Sequence, residues 1–194
     1  LVIMIIVDSK ISRVSTMVSD EHINLILENL KKTAFIDGAV VELGCNVGTT
    51  SLYIQEALMG AKEFHVYDSF QGVPQPIEKD ETDFVKGTAR ATKSEFVKNF
   101  SDNYLTLPVI HEGWFKDQEY PEKICFAFLD GDLYESILDS LTKVYPRMQR
   151  GGIIMVHDYN WVRTKGVKKA CLEFLKDKPE ILREELGIGI IVKQ

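Results

Sequence analysis

The sequence predicts an α/β domain: a doubly wound sheet of seven strands, six parallel and one antiparallel closing strand. Three observations predict it. Short apolar runs alternate with helix-period segments, the pattern of a mostly parallel sheet with right-handed crossovers. The run 124–129 is apolar throughout and 39–43 nearly so, as strands covered on both faces must be. The conspicuous polar residues each follow such a run: Gly44 to Gly48, Asp68, Glu112-Gly113, Asp130 and His157-Asp158. Open α/β sheets bind ligands at those carboxyl ends. A chain of 194 residues suits one domain, 1–194, with a full core.

The elements follow in order. Leu1 to Val7 is apolar, too short to span a bilayer and without the basic start of a secretory signal. It reads as strand-like or as an interface, and with residues up to 35 forms an N-terminal helical and interface segment that suits a homodimer. Ser19 and Asp20 are N-cap types for a helix to about Lys32, with Ile23, Ile26, Leu27 and Leu30 on its apolar face. Asp37-Gly38 turns into a first strand, 39–43. After the tight loop 44–48, Thr49 or Thr50 caps a helix through Leu52, Ile54 and Leu58 that Gly60 ends. The second strand is about Glu63 to Tyr67, ending at Asp68. Residues 71–92 carry Gly72, Pro74, Pro76 and Gly87 among charges. So long an irregular connection inside a compact domain is usually functional, and it reads as a lid loop. A helix over 93–100, a third strand over 105–111 and a fourth over 124–129 come next. Leu133, Ile137, Leu138, Leu141 and Val144 give the inward face of a helix over 133–145. Gly151-Gly152 turns into a fifth strand, 153–156. A helix over 166–176 precedes two closing strands, 180–185 and 188–192, joined near Gly187.

Composition excludes several classes. Hydrophobic residues make up 45% and charged residues 27%, as in soluble globular proteins. A net charge of −6 without a Lys/Arg block argues against nucleic acid as partner. Cys45, Cys125 and Cys171 are odd in number, far apart and outside any CxxC pair, so neither a zinc cluster nor a disulfide framework is expected. The expectation is a cytoplasmic protein with reduced thiols and no membrane partner.

Two clusters carry chemistry. The first is the loop Glu42-Leu43-Gly44-Cys45-Asn46-Val47-Gly48 with Asp68, 20 residues beyond Gly48. Gly44 lets backbone approach a ligand, and Gly48 lets the next helix pack closely. The spacing ExGxxxG has one glycine fewer than the pyrophosphate loop GxGxxG. An acid at the end of the second strand can accept hydrogen bonds from both hydroxyls of a ribose. A nucleoside without a pyrophosphate fits both features, and S-adenosylmethionine is one. A ligand-free turn and a nicotinamide site are the alternatives. The second cluster is Asp130 with His157 and Asp158, on neighbouring strand ends. Two carboxylates and an imidazole form a mixed oxygen–nitrogen set for a divalent cation. Such a cation would hold an acceptor hydroxyl, favour its deprotonation and align it. Asp130 is the candidate base. The blander reading makes the two acids loop caps and His157 a satisfied core histidine. Asp132 reads as a helix N-cap.

Five stretches then carry a resemblance: Val41-Glu42-Leu43-Gly44 with Gly48; Tyr67-Asp68-Ser69-Phe70-Gln71-Gly72-Val73-Pro74; Gly113-Trp114-Phe115; Leu129-Asp130-Gly131-Asp132-Leu133-Tyr134-Glu135-Ser136; and Gly151-Gly152 with Asp158-Tyr159. Together, from about Thr16 to the end, they resemble the macrocin-type (TylF-like) O-methyltransferases of natural-product biosynthesis. The resemblance implies a Rossmann-like class I methyltransferase fold, S-adenosylmethionine, usually magnesium, and a sugar or phenol hydroxyl as acceptor. It implies that Asp130 is a metal ligand and base, that Asp68 holds the ribose, that Gly113 and Trp114 lie by the adenine, and that the segment after Asp68 closes over the substrate. The candidate cofactor set is therefore Glu42, Gly44, Asn46, Gly48, Asp68, Ser69, Gly113, Trp114 and Asp130. The candidate catalytic pair is Asp130 and His157, and the metal set is Asp130, His157 and Asp158. One departure matters: the family usually has two adjacent acids before the tyrosine, and His157 replaces the first. His157 then ligates, shifting preference towards manganese or another transition metal; or acts as a base; or marks a lost metal. A non-catalytic S-adenosylmethionine-binding module is the alternative from another class, and a nicotinamide-dependent oxidoreductase a third.

Among other residues, His65 reads as structural and His111 as a weak site candidate. Tyr134 reads as packed on the sheet. Arg163, Lys165, Lys168 and Lys169 read as a solvated helix start and face.

Overall fold

The structure is a computed structural model and describes residues 9–194, so the apolar start Leu1–Val7 and its expected interface role lie outside the described residues. The helices are α1 (Asp20–Lys32), α2 (Thr49–Leu58), α3 (Lys93–Asp102), α4 (Tyr134–Val144) and α5 (Lys165–Leu175). The strands are β1 (Ala39–Leu43), β2 (Phe64–Asp68), β3 (Val109–Glu112), β4 (Ile124–Leu129), β5 (Met148–Val156), β6 (Leu182–Glu185) and β7 (Ile188–Val192). They form one sheet in the order β3-β2-β1-β4-β5-β7-β6. Every pair from β3 to β5 is parallel, and β7 runs antiparallel to both its neighbours. Six strands therefore share one direction and β7 opposes them, as the sequence predicts.

Side chains alternate across the sheet, and each face has its own helices. Val40, Val66, Phe126, Phe128 and Met155 pack with Ile23 and Ile26 of α1, Leu52 of α2, and Phe96 and Phe100 of α3. Their sequence neighbours Val41, Tyr67, Ala127, Leu129 and Ile154 pack instead with Ile137 and Leu141 of α4 and Val167 and Cys171 of α5. Each Val, Leu, Ile, Phe or Met among these, taken fully out of water, contributes roughly 1.5–3 kcal/mol. No helix among the described residues is long and apolar enough to cross a membrane. All three cysteines are buried and free.

The chain leaves β1 towards β2 on one side, while β4 lies on the other. That reversal opens a crevice at the tips of β1 and β4. Backbone bonds carry the ladder just past the strands: Gly44 N–H to the Tyr67 carbonyl (2.8 Å), Asp130 N–H to Leu43 (2.8 Å) and His157 N–H to Leu129 (2.9 Å).

Several boundaries differ from expectation. β3 starts at Val109, not 105, because Leu105 N–H still bonds the Phe100 carbonyl (3.1 Å) at the exit of α3, and Pro108 has no N–H to give the ladder. β5 starts at Met148, five residues early: Gly151-Gly152 lies inside the strand, at a register shift against β4, rather than in a turn before it. β6 starts at Leu182, since the Glu180 side chain is turned inward to accept from Lys193 Nζ (2.8 Å) and Tyr145 Oη (2.5 Å). Neither Thr49 nor Thr50 caps α2; Gly48 occupies that place in the left-handed region, with no side-chain bond. Asp132 does not cap α4 either. The Tyr134 N–H donates to Asp80 Oδ1 (2.6 Å), a carboxylate from the 71–92 segment.

Candidate functional site

A cavity of about 930 Å³ opens at the strand tips. Gly44, Asn46, Asp68, Ser69 and Trp114 line one part of it, and Asp130, His157 and Asp158 another. Glu42, Gly48 and Gly113 are not among its lining residues. Each serves the frame instead. Glu42 is fully buried and accepts the Ser51 hydroxyl (2.5 Å), tying β1 to α2. Burial pushes its carboxyl up to about 8. Gly48 (φ +91°) makes room for α3, since a Cβ there would lie 2.9 Å from the Phe96 ring. Gly113 N–H bonds the Asp68 carbonyl (2.9 Å). His65 and His111 stack together on the β2–β3 side and are not among the lining residues.

Gly44 (φ +93°) is required by protein rather than by ligand. A Cβ there would lie 1.9 Å from the carbonyl oxygen of Asp130, so the β1 loop and the β4 tip are in backbone contact. Asn46 gathers the loop around Asp68: its N–H donates to Asp68 Oδ2 (2.8 Å), and its carboxamide donates to the Ala89 carbonyl (2.6 Å). Phe70 N–H donates to Asp68 Oδ1 (2.7 Å). Burial raises the Asp68 carboxyl, and these backbone donors act against it. Each oxygen keeps a lone pair for a hydroxyl donor.

On the other side, His157 Nδ1 lies 3.1 Å from Asp130 Oδ1 and 3.2 Å from Asp158 Oδ1. One ligand atom from each of the three residues falls within 4.8 Å of the others, a spacing and donor chemistry that fit a divalent cation. Burial works to lower the His157 pKa, but the two carboxylates outweigh it and hold it well above the usual imidazole range. Asp132 lines the same space, and burial together with the Asp130 and Asp158 charges pushes its carboxyl well up.

Three parts of the site escaped sequence reasoning. His22 of α1 meets His157, Nδ1 to Nε2 at 3.1 Å. Leu186 and Gly187, in the β6–β7 turn, line the cavity. The 71–92 segment is fastened along its length: Val73 and Thr88 pair through backbone, Asp80 accepts from Tyr134 N–H and Ile77 N–H, and Glu81 and Asp83 meet the basic residues beyond β5. Arg163 grips Asp83 through Nε and Nη2 (2.9 Å each), Lys165 reaches Glu81 (3.0 Å), and Lys169 reaches it too. Those cations were expected to be a solvated face; they dock the 71–92 segment, and the acids that meet them lie some 80 residues away. Lys168 instead meets Asn160 (3.2 Å).

The sequence model of the family Macrocin-O-methyltransferase (TylF) matches residues 11–185. The chain is 30% identical over 159 residues to the 8-demethyl-8-(2,3-dimethoxy-alpha-L-rhamnosyl)-tetracenomycin-C 4'-O-methyltransferase of Streptomyces olivaceus, a match covering 69% of this chain and 59% of that one. It is 28% identical over 169 residues to the mycinamicin III 3''-O-methyltransferase of Micromonospora griseorubida, covering 74% and 65%. The chain thus spans under two thirds of the length of these curated relatives. Among solved structures, the O-methyltransferase NovP superposes with a TM-score of 0.74 at 25% identity, covering 90% of this chain and 78% of that one. The calicheamicin methyltransferase CalS11 also reaches 0.74, at 17% identity, covering 88% and 77%, a likeness of fold. The sheet order with its single antiparallel strand is that of the Rossmann-like class I methyltransferase fold.

Proposed function

The chain belongs to the macrocin-O-methyltransferase (TylF) family, and from that premise we propose that it methylates a hydroxyl of a sugar-containing or phenolic small molecule, using S-adenosylmethionine with divalent-metal assistance. One observation carries the reading: a single cavity holds both the Asp68 carboxylate and the Asp130, His157 and Asp158 group. S-adenosylmethionine would supply an electrophilic methyl on sulfur. Asp68 accepts the ribose hydroxyls on the lone pairs its backbone donors leave free, with Gly44, Asn46 and Ser69 around it. Trp114 offers a flat face to the adenine. Asp130, His157 and Asp158 would hold the cation, which supplies Lewis acidity to an acceptor hydroxyl. Asp130 takes the hydroxyl proton, which frees an oxygen lone pair for attack. The docked 71–92 segment keeps water from the cavity.

Calorimetry with S-adenosylmethionine, and turnover to S-adenosylhomocysteine against a panel of glycosylated and phenolic natural products, test this. Asp68→Ala is expected to weaken cofactor binding by at least about tenfold, the scale of a lost charge-assisted hydrogen bond. Asp130→Ala is expected to keep cofactor binding and lose transfer. Two variants that bind and turn over like the parent would overturn the assignment. Cofactor binding by the parent, without turnover on any acceptor or any response to magnesium or manganese, would favour the non-catalytic binding module.

A further inference from the structure

Three distant stretches of chain meet behind the cation-binding group. His22 stands in the first turn of α1, where Ser19 caps the helix by accepting the His22 N–H (3.2 Å). His157 ends β5. Leu186 sits in the β6–β7 turn at φ +53°, a conformation uncommon for a leucine, followed by Gly187 at φ +80°. The contacts run in a line: the Leu186 carbonyl to His22 Nε2 (2.9 Å), His22 Nδ1 to His157 Nε2 (3.1 Å), and His157 Nδ1 to Asp130 and Asp158 (3.1 and 3.2 Å). The two rings meet edge to face, centroids 5.1 Å apart.

One end of that line is chemically fixed. A carbonyl oxygen only accepts, so His22 Nε2 carries the hydrogen. The neutral His22 ring then has a bare Nδ1, and a bare Nδ1 needs a donor. Only His157 Nε2–H can be that donor across the 3.1 Å contact. With Nε2–H committed to His22, Nδ1 is the His157 nitrogen left facing the Asp130 and Asp158 carboxylates. These three atoms need a positive centre among them: a proton on Nδ1 fills that place without a cation, and a bound cation would replace it on the Nδ1 lone pair.

We propose that His22 is the positioning residue of the cation site: it fixes His157 in the tautomer that turns the Nδ1 lone pair towards Asp130 and Asp158. The proposal rests on the metal-assisted reading above and adds to it a residue and a selectivity. With one imidazole nitrogen and two carboxylates, the site favours Mn2+ or Co2+ over Mg2+, because nitrogen ligands suit transition metals better than hard magnesium. Partners that orient a ligating histidine through its far nitrogen set both the tautomer and the basicity of the near one.

The test is calorimetry with MnCl2, CoCl2 and MgCl2 on the parent, His22→Phe and His22→Gln, together with the visible absorption of the Co2+-loaded proteins. The parent is expected to bind Mn2+ and Co2+ more tightly than Mg2+. His22→Phe, which cannot accept from Nε2–H, should weaken Mn2+ and Co2+ binding by roughly ten- to hundredfold, the range for lost partners of a metal-ligating histidine. His22→Gln, whose carboxamide oxygen accepts, should recover most of the affinity and the parental Co2+ spectrum. Parental Mn2+ and Co2+ binding in His22→Phe overturns the role of His22 and leaves the metal site standing. A parent that binds none of the three cations overturns the metal-assisted reading and this proposal with it. A further measurement needs no variant: 15N-histidine NMR of the Zn2+-loaded parent should find the His157 hydrogen on Nε2. A hydrogen on Nδ1 overturns the proposal even if the variants fail to fold.

Discussion

Glu42 and Gly44 sit two residues apart at the end of β1 and face opposite demands. Glu42 is an acid held where charge is unwelcome, its carboxyl pushed up to about 8 by burial. A group raised above its unfolded value binds more protons when folded. Its contribution to stability is full below about pH 4.5 and is lost as pH rises through about 8. Urea unfolding of the parent should therefore show stability falling across that window by a few kcal/mol at most, taking about 1.4 kcal/mol per pKa unit as the ceiling. Glu42→Gln, which keeps the shape without the titration, should flatten that slope while costing under about 1.5 kcal/mol near neutrality. An unchanged slope in the variant would assign the pH dependence elsewhere. At this scale the strand-end residues Asp68, Asp130, His157 and Asp158 were legible, because each ends an apolar run. The Glu42 bond to Ser51 was not legible, because Ser51, on the helix face turned to β1, leaves no mark in the motif. His22 was unreadable for a stronger reason: its partner lies 135 residues away.

Between elements, the 71–92 segment is held by contacts of unequal weight. The Asp83–Arg163, Glu81–Lys165 and Glu81–Lys169 pairs are exposed, and such pairs contribute about 0–1 kcal/mol each. Asp80 is 2% exposed and caps α4 through the Tyr134 N–H while also accepting from Ile77 N–H. The buried cap therefore outweighs any one ion pair. Asp80→Ala should cost about 1–2 kcal/mol of stability in urea, the scale of a lost N-cap, and should speed proteolytic nicking within 71–92. Arg163→Ala should change the urea midpoint by little and leave the nicking rate within about twofold of the parent. Comparable effects from both would mean the surface pairs do the holding. The irregular stretch 71–92 could be read from its Pro, Gly and charge content. Its docking could not, since Asp80 satisfies a helix that starts 54 residues later, and Asp132, beside that helix, was the nearer candidate. Strand boundaries failed for local reasons of the same kind: Gly151-Gly152 reads as a turn until β4 is alongside to make it an irregularity within a strand.

For the molecule as a whole, the mostly parallel, doubly wound sheet was open to sequence reading because alternating apolar strands and amphipathic helices leave few ways to cover both faces; its strand order came from the structure. A ligand that binds the folded chain alone should stabilise all of it. At one hundred times its dissociation constant, S-adenosylmethionine should add about 2.7 kcal/mol, which for a chain of this size raises Tm by roughly 5–10 °C. Asp68→Ala, bound at least about tenfold more weakly, should show at most about half that rise at the same concentration. An equal rise in both would separate cofactor binding from the β2 tip. The contact between Gly44 and the Asp130 carbonyl has a consequence for how such a protein can change over time. The two functional clusters belong to different strands and different chemistries, yet they share one seam with no room for a single carbon atom. A lineage adapting to a new acceptor can vary the surrounding loops and the side chains at the β4 and β5 tips, but it inherits the seam whole. Grafting the β4–β5 half from a distant relative should succeed where the β1 glycine comes with it and fail where any side chain stands in its place.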